Sequence, residues 1–137
     1  MLTLRTDPEP LTRRLHLPAQ IRAVRWVSVS PVRDTGGVPG PADFYDVYAY
    51  VELDADAWTS LEKSAGGLNA RGVVTVPASV AAVLIPAEAI ADFTPSDAAV
   101  RAEGPSFNPA TLAAEPNTEV DTAVRIGGAL VIQMRVH

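Results

Sequence analysis

Residues 120–136 read VDTAVRIGGALVIQMRV, and the way this stretch turns back on itself decides how the chain is layered. Val120, Thr122, Val124 and Ile126 form one row, and Leu130, Ile132, Met134 and Val136 form another, with Gly127-Gly128 between them. Period-two alternation of this kind is a strand pattern, and paired glycines suit a tight hairpin. A two-residue Gly-Gly turn would pair Ile126 with Ala129, Val124 with Val131 and Thr122 with Gln133, which puts the rows on opposite faces. A three-residue loop, Gly127 to Ala129, would pair 126 with 130, 124 with 132, 122 with 134 and 120 with 136, which puts both rows on one face. A sheet with a single buried face demands the second register, and that is the expectation. It also sets Asp121 opposite Arg135 as a cross-strand ion pair.

Upstream, residues 43–58 read DFYDVYAYVELDADAW and hold all three tyrosines of the chain. Alternation places Tyr45, Val47, Ala49, Val51 and Leu53 on a core face, and Phe44, Asp46, Tyr48, Tyr50 and Glu52 on the other. Asp54 then suits a helix N-cap, and a helix follows with Trp58, Leu61 and Ala65 on one side. Asp56 in its first turn complements the helix dipole, and Gly66-Gly67 ends it.

Other segments read more coarsely. Residues 21–30 and 72–76 have strand patterns, as does the run around 98–102. Residues 11–17 read as a short strand or extended arm, and 33–43 as a Gly/Pro loop without phosphate-binding spacing. Pro77 can open a helix with Val80, Val83 and Leu84 inward, although a strand over 79–85 fits as well. Pro86 breaks that element and can start a second short helix through Phe93, while GPSFNP and AEPNTE read as loops. The expected architecture is a single α+β domain: a mainly antiparallel sheet with two or three short helices on one face and a C-terminal hairpin.

Composition narrows the function classes. A chain of 137 residues is long enough for one domain with a proper core. Net charge −5 and no basic run beyond Arg13-Arg14 argue against a nucleic-acid binder. The absence of cysteine removes disulfides, thiolate chemistry and cysteine-ligated metals. No apolar run approaches the ~20 residues of a membrane span, so a soluble cytoplasmic protein with no membrane partner is expected. One lysine among eleven basic residues, with abundant alanine, suggests a GC-rich bacterial genome.

Residues suited to catalysis are scarce. Asp54-Ala55-Asp56 superficially resembles the magnesium-binding DxD of haloacid-dehalogenase-like phosphatases. Trp58, Thr59 and the nearby single lysine, Lys63, depart from that pattern, and capping is the better account. His16 and His137 do not have metal-ligand spacing, so no metal and no cofactor are expected. His16 could serve as a base only if the fold brings an acid to it, and Lys63 beside Glu62 reads as a solvated pair. The one surface that stands out is the aromatic–acidic strand face of Phe44, Asp46, Tyr48, Tyr50 and Glu52. The expectation is therefore a small acidic, non-enzymatic interaction module, such as an inhibitor, an immunity-like protein or an assembly partner. That face would meet another protein, a basic one being favoured by the acids, or a second copy of the chain. The alternatives are a small-ligand pocket or enzyme built on carboxylates and tyrosine, and a structural homo-oligomer. Convergence of Asp46, Glu52 and Tyr50 in a concave pocket would favour the ligand site, and a flat exposed strip the module.

Overall fold

The computed structural model describes residues 4–18, 21–29, 45–65 and 71–136. In chain order these form α1 (Glu9–Arg14), β1 (Ile21–Val29), β2 (Tyr45–Leu53), α2 (Ala55–Ala65), β3 (Arg71–Pro77) and α3 (Ala78–Leu84). A single 3-10 turn at Ile90–Asp92 leads to β4 (Thr94–Ser96), β5 (Ala99–Pro105), α4 (Pro109–Leu112), β6 (Thr118–Ile126) and β7 (Ala129–Val136). Every strand pairing is antiparallel. One sheet has the order β1-β2-β7-β6 and a smaller one the order β3-β5-β4. The class is α+β, as the sequence pattern implies.

The C-terminal hairpin forms, but in the other register. Ile126 pairs with Ala129, Val124 with Val131 and Thr122 with Gln133, around a two-residue turn whose first glycine, Gly127, has φ 61°. Glycine takes that left-handed conformation without the clash that a Cβ would make. The expected single-faced burial does not hold, because both faces of the four-stranded sheet are covered. On one face, Val47, Ala49, Val51, Ala123, Leu130, Ile132 and Met134 pack with Leu11 of α1, Trp58 and Leu61 of α2, and Leu112 of α4. On the other, Val27, Tyr48, Tyr50, Val124, Ile126 and Val131 pack with Val74 and Val76 of β3, Ala102 of β5, and Val80, Ala81 and Leu84 of α3. With apolar cover on both sides, opposed rows cost nothing, and the tighter turn is free to form. The helices accordingly lie on both faces rather than one.

A register shift between Val120 and Thr122 makes Asp121 a bulge residue. It moves Val120 to the first face while Val124 and Ile126 stay on the second. Asp121 therefore does not oppose Arg135. The guanidinium Nε of Arg135 instead lies 3.6 Å from an Asp46 carboxylate oxygen on β2. The smaller sheet closes against β6 through a bridge between Ser106 and Val124. There Gly104 lies so close that a Cβ would run into the Arg125 carbonyl oxygen.

Local rules explain several element ends. Asp54 accepts a hydrogen bond from the Ala57 N–H at 3.1 Å and starts α2, as its position before the helix implies. Of residues 11–17, expected as a short strand or extended arm, 11–14 belong to α1, which covers Glu9–Arg14 because Pro8 and Pro10 sit where a first turn needs no N–H, while Leu15 is extended and bridges Ala113. The run after Pro77 is helix α3, not strand. Asn108 caps the four-residue α4 by accepting from the Ala110 N–H, within a region expected to be loops and strand. Tyr45, expected in the core, is 41% exposed at the start of β2. The loop at 33–43, Phe44, Gly66-Gly67 and His137 lie outside the described residues.

Candidate functional site

Strand register decides where the aromatic–acidic face of β2 points. Across the second face of the larger sheet, Val27 neighbours Tyr48, Arg25 neighbours Tyr50 and Ala23 neighbours Glu52. Tyr48 and Tyr50 are only 7% and 6% exposed, because the smaller sheet and α3 lie over them. Their rings are core material. Neither hydroxyl bonds to a described residue, and the Tyr48 side chain borders a surface cleft.

The two tips face different surroundings. Burial pushes the Tyr48 phenol above its ordinary value, and Asp46 and Asp121 push it further. Tyr48 lines a cleft of about 510 Å³ with Gln133 and the β4–β5 turn. In that turn Asp97 has φ 51°, a conformation that aspartate tolerates in tight turns. Burial also raises Tyr50, followed by Glu52, Glu88 and Asp92, with Arg25 opposing. Three carboxylates and one guanidinium are thus within electrostatic reach of the Tyr50 hydroxyl.

Arg25 ties this region together. Its Nε donates to the Leu84 carbonyl at 2.7 Å and its Nη2 donates to the Val83 carbonyl at 2.9 Å. A cation on these carbonyls at the end of α3 satisfies acceptors that the helix leaves open. The contact holds α3 against β1 and leaves a cleft of about 780 Å³ beside it. Thr6, Ala23, Val24, Arg25 and Glu52 form one wall, and residues 81–90 form the other, including Ala82, Ile85 and Glu88. Glu52 is half-buried and Glu88 exposed. Neither makes an ion pair with a described residue. A smaller cleft of about 520 Å³ lies on the opposite face of β1, lined by Pro8, Thr12, Leu17, Pro18, Ile21 and Arg22, and again by Thr6, Ala23 and Val24.

Of the residues singled out in the sequence, the structure brings Tyr50 and Glu52 together and adds Arg25 and Glu88. It leaves Asp46 at the other end of β2, six residues and roughly 20 Å away, paired with Arg135. Arg25 and Glu88 carry no local signal of a shared site, since the first sits on a strand and the second between short turns some sixty residues later. Asp54 is occupied by capping. His16 is exposed, and its backbone N–H donates to the Leu112 carbonyl at 2.7 Å. Lys63 lies in the last turn of α2 and is exposed. Among the described residues no group of three histidine, aspartate or glutamate side chains could hold a metal ion, and no helix is long and apolar enough to cross a membrane. Comparison with family models, with curated proteins and with solved structures gives no match for this chain.

Proposed function

We propose that the chain is an interaction module whose recognition site is the cleft between the β1–β2 end and residues 81–90, and that this cleft accepts a positively charged group. The observation that carries the reading is the convergence of Glu52 and Glu88 on one concave surface, with neither carboxylate paired to a described residue. Asp92 adds negative potential at the nearby Tyr50 hydroxyl. Arg25 does not cancel this in full, because one guanidinium faces two carboxylates in the cleft. A cation entering the cleft would gain two carboxylate partners in partly desolvated surroundings, where such pairs are stronger than on open surface.

Binding suits the lining better than chemistry. The walls carry alanine, isoleucine, proline, valine and threonine around the charged groups, with no histidine, cysteine, serine or lysine to serve as nucleophile or to share proton transfer with the two carboxylates. The test is an amide-shift titration by NMR with Nα-acetyl-lysine N-methylamide and with its norleucine counterpart. The lysine compound should shift amides at residues 23–25, 52 and 85–90. The norleucine compound should do so several-fold more weakly, and Glu52→Gln/Glu88→Gln should bring the two to the same level. Equal shifts from both compounds on the unaltered protein would sink the reading.

A further inference from the structure

Resting on that reading, we infer that the partner enters as an extended peptide strand. It adds to the outer edge of β1 at Arg22–Val24, with a basic side chain in the Glu52/Glu88 cleft and an apolar one in the cleft on the opposite face.

β1 is an edge strand. β2 lies on one side, and on the other the described residues supply a single partner, Arg5. The Arg5 N–H donates to the Trp26 carbonyl and the Trp26 N–H donates to the Arg5 carbonyl, both at 2.9 Å. In an antiparallel strand alternate residues turn their polar groups to the same side. The N–H and C=O of Val24, two residues from Trp26, therefore face outward too. The N-terminal segment does not follow the edge that far. Its Asp7 carbonyl accepts the Trp26 indole N–H at 2.9 Å, and α1 begins directly afterwards. Among the described residues, no backbone bond meets the Val24 N–H or C=O at this edge. Among the described residues, strand addition thus starts at Trp26 and the next position is left open.

The clefts sit where an added strand would place its side chains. They lie on opposite faces of β1 and meet at its edge, sharing Thr6, Ala23 and Val24. A strand projects successive side chains to opposite faces, so neighbouring residues of one peptide would enter the two clefts. Their chemistries differ: carboxylates on one side, Leu17, Pro18 and Ile21 on the other. The matching sequence alternates basic and apolar residues. The shift in register between Ile21 and Ala23 makes Arg22 a bulge residue and keeps the free edge short. A short, bulged edge resists pairing along the whole length of a second copy but accepts a few residues of a peptide.

The test uses a fluorescein-labelled octapeptide of alternating valine and lysine, a twin with glutamate for lysine, and a twin N-methylated at its four central residues. Anisotropy should show the parent binding, with both twins weaker by about tenfold or more, since one loses its charge match and the other its strand donors. Glu52→Gln/Glu88→Gln should weaken the parent by a similar factor, and hydrogen exchange at the Val24 amide should slow when the parent binds. If the N-methylated twin binds as well as the parent and the double variant weakens both, the charged cleft stands and strand addition is overturned. If the parent does not bind while the lysine diamide still does, strand addition is overturned and the cleft stands; if the parent binds the double variant equally well, the charged cleft is overturned too. A chain that is dimeric by light scattering, with Val24 already protected, would give the edge to a second copy and overturn the peptide.

Discussion

Replacing Tyr50 by alanine separates a ring that holds two layers together from a ring displayed on a surface. Tyr50 is 6% exposed and packs in the layer formed with β3, β5 and α3. A buried aromatic ring removes roughly 150–200 Å² from water, and at about 25 cal/mol per Å² that is about 4–5 kcal/mol. A compact unfolded chain lowers this toward about 3 kcal/mol, and the cavity left behind adds to it again. The expected loss is about 3–4 kcal/mol, a large share of the ~5–15 kcal/mol that holds a domain of this size folded. Tyr50→Phe keeps the ring and removes a hydroxyl that bonds to no described residue, so its cost should stay below about 1 kcal/mol. Urea unfolding followed by tryptophan fluorescence, with equal slopes checked across variants, gives both numbers. A Tyr50→Ala loss below about 1 kcal/mol would refute the two-layer packing, because an exposed ring has little burial to lose.

Three further outcomes follow from individual contacts. Gly104→Ala should destabilise by about 2 kcal/mol or more in the same assay, since its Cβ would meet the Arg125 carbonyl; Gly128→Ala, with nothing within 4 Å, should change stability by less than about 0.5 kcal/mol. Asp54→Ala should cost about 1 kcal/mol and Asp54→Asn much less, because asparagine can still accept the Ala57 N–H. Tyr48 and Tyr50 are both raised by burial, so above pH ~10 the unfolded chain gives up these protons before the folded one does. Stability should hold steady below that pH and fall as pH rises through the folded-state values. The fall should be smaller in Tyr48→Phe/Tyr50→Phe, as urea midpoints between pH 9 and 11 would show.

Much of the fold is legible in local pattern, and what escapes it is decided at a distance. The spans of β1, β2 and β3, the Asp54 cap and helix α2 follow from alternation, capping chemistry and helical spacing. The hairpin turn does not, since its register depends on whether one or both faces of the sheet are covered. That cover comes from β3, β5 and α3, which begin at Arg71, Ala99 and Ala78, well upstream of the turn. Helices α1 and α4 span six and four residues, too few for periodicity to register, and only their prolines and the Asn108 cap mark them. The candidate site divides in the same way. Tyr50 and Glu52 stand out on one strand, but Arg25 and Glu88 join them only because α3 folds back onto β1, where Arg25 bonds to carbonyls 58 and 59 residues away. The same fold-back covers the tyrosine rings and turns a sequence-level surface into a layer interior with a charged rim.

The most direct test of that rim as a binding site is the position of a bound cation. Intermolecular NOEs should be recorded between ¹³C-labelled protein and the lysine diamide at saturating concentration. Contacts are expected from the methylene next to the ammonium group to the Ala82 and Ala87 methyls, which line the cleft with Glu52 and Glu88. Contacts confined to another surface, such as the Tyr48–Gln133 cleft, or no contacts while binding is saturated, would contradict it.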